Sequence, residues 1–165
     1  MSHRRTIVAA CAAFALVAGC GGDSTVAPAP PGGTDPATTT YAASLGVNIS
    51  AMTKLSDALY IQDLVTGAGA AAAKGHGITV TYTGWLANGT QFDSNVGASP
   101  LTFTLGVGQL IQGWDQGIVG MKVGGTRRLV IGSALGYGTA GHPPAIPGNS
   151  TLVFTVTLDS LQDLP

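Results

Sequence analysis

"LIQGWDQGIV", Leu110 to Val119, is the stretch of this chain that reads as helical. Leu110, Trp114 and Ile118 fall at i, i+4 and i+8, and Ile111 joins the same stripe. Gly113 and Gly117 stand on either side of the tryptophan. Each Gly lowers helix stability by roughly 1 kcal/mol relative to Ala. A large indole between residues without side chains makes sense where the space around Trp114 must be left for something else.

The flanking sequence is strand-like. "ITVTYTGWL" (Ile78 to Leu86) alternates, with Ile78, Val80, Tyr82 and Leu86 on one face and Thr79, Thr81, Thr83 and Trp85 on the other. Asn88-Gly89 follows as a hairpin signal, and "TQFD" begins the return strand. "LYIQDLV" (Leu59 to Val65) puts Leu59, Ile61 and Val65 in one row, broken by Asp63. "LTFTL" (Leu101 to Leu105) and "RRLVI" (Arg127 to Ile131) are further short strands, and "TLVFTVTL" (Thr151 to Leu158) aligns Leu152, Phe154, Val156 and Leu158. One short helix among five or six strands predicts an α+β fold, an antiparallel sheet wrapped around a single helix. The Gly- and Pro-rich run from Gly136 to Gly148 predicts a long functional loop before the last strand.

Composition narrows the function. The 165 residues include 25 glycines, 45% hydrophobic residues and 9% charged residues, with a net charge of −1. That suits one turn-rich β-containing domain with appendages. Beyond the N-terminus the only basic run is Arg127-Arg128, so no nucleic-acid groove is expected.

The first residues read as an export signal. "MSHRR" is basic, "TIVAACAAFALVA" is an apolar run short for a membrane span, and "LVAGC" places small residues before Cys20. This ending resembles a bacterial lipobox, which implies cleavage before Cys20 and lipidation of that cysteine. Ordinary cleavage after Ala29 is the alternative. Lipidation would take Cys11 away with the signal and leave no free thiol or disulfide in the exported chain. The expected organisation is a signal peptide over 1–19, a lipidated Cys20 with a disordered Gly/Pro/Thr-rich tether over 20–44, and a folded domain over 45–165. The segment from Tyr41 to Ala58 either adds an edge strand or extends the tether. Gly21 after the cysteine leans, by resemblance to lipoprotein sorting, toward an outer membrane where two exist.

Familiar catalytic patterns are missing. There is no glutamate, no Gly-Lys-Ser/Thr phosphate cradle and no G-x-S-x-G elbow. His76 and His142 lie far apart in sequence without neighbouring Cys or paired carboxylates, so neither metal nor cofactor is expected. An enzyme built on this chain would work without a nucleophile or metal.

Three stretches, "VTYTGWLANGTQFDSN" (Val80 to Asn95), "GVGQLIQGWDQGIVGMKVGGTRRLVI" (Gly106 to Ile131) and "LGYGTAGHPPAIPGNSTLVFTV" (Leu135 to Val156), closely resemble the FKBP-type peptidyl-prolyl isomerases in order, spacing and Gly/Pro punctuation. The resemblance covers roughly Leu59 to Leu161. It implies a half-open sheet around one helix with an apolar pocket between them, floored by Trp114. It further implies catalytic roles for Asp93, Tyr137, Trp114 and Phe92, and substrate contacts from Tyr82, Leu110, Ile111, Ile146, Phe154 and His142. The Tyr137 hydroxyl and the Ile111 backbone N–H would each bind a ligand carbonyl. Expected partners are proline-containing chains, macrolides of the tacrolimus and rapamycin type, and the membrane through the Cys20 lipid.

The expected function is therefore cis–trans isomerisation of X–Pro bonds in exported proteins by a lipid-anchored monomer facing the cell envelope. Leu101 stands where the family often has an aromatic, and Ala145 where it has a larger aliphatic. These positions leave open a second reading, a module of the same fold that grips proline-containing segments or a partner without turnover.

Overall fold

The computed structural model describes residues 35–162. Its sheet is built from β1 (Thr53–Ser56), β2 (Leu59–Val65), β3 (Gly77–Leu86), β4 (Gln91–Ser94), β5 (Leu101–Thr104), β6 (Thr126–Ile131) and β7 (Leu152–Gln162), with one helix, α1 (Gln112–Gly117). The strand order is β1-β2-β6-β7-β3-β4, and β5 also pairs with β3. All pairings are antiparallel. Long β3 is the axis of the sheet. One edge pairs with β7 along its whole length, and the other is shared between β5 (at 77–80) and β4 (at 83–85).

Period-2 alternation gives the sheet two apolar faces. The inner face collects Ile78, Val80, Leu129, Ile131, Leu152 and Phe154, with Trp114 and Ile118 of the helical segment against it. α1 lies close because its glycines allow it. A Cβ at Gly113 would stand 2.5 Å from Ile131 Cγ2, and one at Gly117 would stand 2.9 Å from Leu129 Cδ2. The helix is shorter than its stripe suggests. Ile111 is extended (φ −62°, ψ 146°) as the N-cap, so Leu110 and Ile111 belong to the preceding loop, and Ile118 closes the C-terminal end.

Buried Arg127 anchors that end. Its guanidinium donates to the Gly117 and Val119 carbonyls at 2.9 and 3.1 Å and grips Asp63 of β2 at 2.6 and 3.1 Å. This explains why Asp63 interrupts an apolar row. It also marks a correction, because the β2–β6 register shifts between Asp63 and Val65, and Val65 is 55% exposed rather than aligned with Leu59 and Ile61.

The outer face carries the larger correction. Thr53–Ser56 does form an edge strand, which raises the strand count to seven. The chain ahead of it, however, packs as short 3-10 turns on a second apolar cluster of Leu45, Met52, Tyr60, Val130 and Val153, with Tyr41 and Trp85 beside it. Packed structure begins well before the expected boundary at 45. Pro36 is buried and accepts from the Tyr41 hydroxyl at 2.7 Å, Thr39 and Thr151 hydroxyls lie 3.0 Å apart, and Ala42 N–H donates to Ala87 O at 2.8 Å. Tyr41 and Leu45 supply the apolar anchors that a tether lacks. The expected signal peptide, Cys20 and the tether as far as 34 lie outside the described residues.

Candidate active site

The pocket opens between α1 and the inner face of the sheet, with a volume of about 340 Å³ including its mouth. Tyr82, Phe92, Asp93, Leu101, Leu110, Ile111, Trp114, Tyr137 and Phe154 line it. Each side chain arrives by a simple local rule. Tyr82 and Phe154 sit on inward-facing positions of neighbouring strands, where Tyr82 pairs with Val156 and Gly84 with Phe154. Phe92 and Asp93 come from the return strand of the hairpin, Leu110 and Ile111 from the loop entering α1, and Trp114 from its first turn.

The aromatic rings pack edge to face. The Trp114 centroid lies 5.0 Å from Tyr82 and 5.3 Å from Phe154, and Phe92 lies 5.5 Å from Phe154, each pair at 88°. Such geometry places ring edges against π faces and fixes the cage. Trp114 is 3% exposed and forms its base, with Phe103 behind it at 5.9 Å. The buried indole Nε1–H meets no acceptor among the described residues, so Trp114 contributes shape and a π face rather than a hydrogen bond.

The polar groups sit at the mouth. Tyr82 O–H donates to Asp93 Oδ2 at 2.5 Å, while Ser94 N–H donates to Asp93 Oδ1 at 2.9 Å, which orients the carboxylate. Burial, then the hydrogen bond and charge of Asp93, push the Tyr82 phenol far above its ordinary range. Burial, followed by the Asp93 charge, also raises Tyr137. Both phenols therefore stay protonated at neutral pH. The Tyr82 hydroxyl is occupied by Asp93, whereas the Tyr137 hydroxyl donates to no described residue.

Of the ten residues expected at the site, eight line this pocket. Ile146 and His142 are not among its lining residues. Ile146 is buried in the core at 4% exposure, and exposed His142 sets its ring 5.5 Å from Tyr137. Reciprocal backbone bonds of 2.8 and 3.0 Å join His142 to Ile146 and close the loop that follows Tyr137. Leu101 does line the pocket, at the position set apart above as a departure from the family.

Two contributors escaped the sequence reading. A Cβ at Gly84 would meet Phe92 Cζ at 2.7 Å and Phe154 Cε1 at 2.8 Å, so the ring pair needs glycine there. Glycine inside an otherwise regular strand is the signal that could have revealed it. Asp115 accepts from Gly106 and Gly108 N–H at 2.8 and 2.9 Å, holding the loop that delivers Leu110 and Ile111. Among the described residues no group of three or more His, Cys, Asp or Glu is placed to hold a metal ion.

An aromatic cage with two phenols beside Asp93, in an antiparallel sheet around one short helix, defines an apolar binding pocket with polar groups along one side. The sequence profile of the FKBP-type peptidyl-prolyl cis-trans isomerases matches residues 69–159, and the chain belongs to that family. It is 56% identical over 101 residues to an FK506-binding protein of Neisseria meningitidis serogroup B, covering 61% of this chain and 93% of that protein. It is 55% identical over 86 residues to the peptidyl-prolyl cis-trans isomerase FKBP2 of Mus musculus, covering 52% and 61% respectively. Among solved structures, AtFKBP13 superimposes with a TM-score of 0.59 at 40% identity, covering 63% of this chain and 93% of that one. The fold is FKBP-like, and the chain is a peptidyl-prolyl cis–trans isomerase of this family. The family in general binds proline-containing substrates and macrolides of the FK506 type.

Proposed function

We propose that the protein isomerises X–Pro bonds of exported proteins without a covalent intermediate, using the aromatic pocket as the catalyst. The observation that carries this reading is Trp114 at the base of a cage whose walls are Tyr82, Phe92 and Phe154. Twisting an amide sacrifices C–N resonance, and the uncatalysed barrier is about 18–20 kcal/mol. The twisted carbonyl is less polar than the planar one and loses less on leaving water. An apolar cavity thus favours the transition state over the ground state, which is catalysis by differential binding. In this reading the proline ring rests on Trp114, the Tyr137 hydroxyl donates to a substrate carbonyl, and the Ile111 N–H, which lies outside the helical ladder, binds a second. Asp93 faces the twisting amide, held in place by Tyr82.

The same proposal includes a lipid at Cys20, an extracytoplasmic location at the cell envelope and a monomeric state. The small residues before Cys20 at the end of an apolar run support the anchor.

The deciding experiment follows cis/trans exchange of a short Leu-Pro peptide by NMR, with the full chain in detergent and then with excess FK506. Acceleration abolished by FK506 is expected. A folded protein that leaves the exchange rate unchanged would refute the catalytic assignment. Intact mass at the N-terminus tests the anchor, with a diacylglycerol-bearing Cys20 as the expected result and an unmodified cysteine as the contrary one. Sedimentation velocity tests the monomer.

A further inference from the structure

Three loops leave the rim of the pocket, and each begins or ends on a lining residue. Residues 95–100 run from the end of β4, beside Asp93, to Leu101; residues 106–109 lead into Leu110; residues 138–150 follow Tyr137. None of the three contains Asp, Glu, Lys or Arg, and His142 is their single ionisable side chain.

Their tips are apolar and displayed. Val96 is 67% exposed and Val107 57% exposed, and Pro143, Pro144 and Ala145 are exposed at the tip of the third loop. The first loop is stapled by Asn95, whose side chain accepts from Tyr82 N–H at 2.6 Å and donates to Val80 O at 3.0 Å. Asp115 holds the backbone on both sides of Val107 through Gly106 and Gly108. The His142–Ile146 bridge closes the third tip. Each apolar tip therefore has a fixed place.

The pocket is small, and its lining side chains surround the proline and little more than its immediate neighbour. The rest of a bound polypeptide must leave across these loops in both directions. We propose that the three loops form an uncharged collar that selects X–Pro bonds lying within apolar stretches of unfolded chain, reading residues two or more positions from the proline. The occupant follows from continuity with the pocket, and the inference rests on the isomerase reading above. A charged flanking residue would lose hydration over these apolar tips and find no opposite charge in the loops to replace it.

The test compares Leu-Pro peptides by NMR exchange with the full chain: a short parent, and longer versions flanked by Val and Leu, by Lys, or by Glu. The expected kcat/KM for the apolar-flanked peptide is about tenfold above both charged versions, with little dependence on salt. In the Val96→Lys/Val107→Lys variant that preference should collapse, and the Glu-flanked peptide should overtake the Lys-flanked one. Equal rates for all flanks, from a protein that isomerises the short parent, would overturn the collar and leave the isomerase reading intact. No catalysis of the short parent would overturn both.

Discussion

Gly84 shows how much of the pocket depends on one absent side chain. The Phe92 and Phe154 rings occupy the space a Cβ would need, with approaches of 2.7 and 2.8 Å. Gly84→Ala should push the ring pair apart, destabilise the fold by about 1–3 kcal/mol as overpacked sites do, and raise KM. Urea denaturation alongside peptide kinetics checks both. Tyr137→Phe keeps the ring and removes only the hydroxyl. With about 1 kcal/mol for one hydrogen bond, kcat/KM should fall roughly fivefold while the urea midpoint stays put. An unchanged rate would remove the hydroxyl from the mechanism. The phenols also predict a pH response. Tyr82 and Tyr137 are raised in the folded state, so folding favours their protonated forms. Their contribution to stability is fully present below the ordinary tyrosine value of 10.0 and is lost as pH rises above it toward the folded values. Burial raises Tyr41 as well, so ultraviolet titration should show three phenols ionising later than free tyrosine, and activity should stay level across neutral pH.

At the scale of elements, a helix of barely two turns cannot hold itself in place. α1 stays in register because glycines let it touch β6, because Arg127 holds its C-terminal carbonyls, and because Asp115 in its first turn ties down the preceding loop. Asp115→Ala should free Gly106 and Gly108, let Leu110 and Ile111 drift, and raise KM about fivefold. The loss of a carboxylate near a helix N-terminus should cost only about 0.3–1 kcal/mol of stability. A KM effect larger than that stability change explains would identify loop positioning as the cause. Equal KM for the two proteins would show that the loop holds without it.

For the whole molecule, the chain ahead of β1 belongs to the folded unit. Leu45 and Met52 are 8% and 9% exposed on the outer cluster, and full burial of such side chains contributes about 1.5–3 kcal/mol each. A chain begun at Asp35 should match the stability of the full chain. One begun at Thr53 should lose roughly 3–6 kcal/mol and expose Tyr60, Val130 and Val153 to association. Thermal melts and light scattering on the pair settle it, and equal melts would reduce residues 35–52 to a tether.

Much of this was legible in the sequence because the signals are local. Alternation in Ile78–Leu86 and Thr151–Leu158 assigns the inner face, the i, i+4, i+8 stripe assigns α1, and the glycines beside Trp114 mark space left open around the indole. The resemblance to a known family then brought eight of the ten expected residues to one pocket. Other features depend on contacts between distant parts of the chain, which no local pattern records. Asp63 looked like a break in a strand until Arg127, 64 residues away, gave it a partner. His142 and Ile146 are expected at the pocket, and the loop's own backbone bridge joins them to each other outside its lining. Residues 35–44 had the composition of a tether, and only the apolar outer face of the sheet, assembled from β2, β6 and β7, gave Tyr41 and Leu45 a surface to bury. Periodicity fixes which way a side chain faces, and tertiary structure alone decides what it meets there.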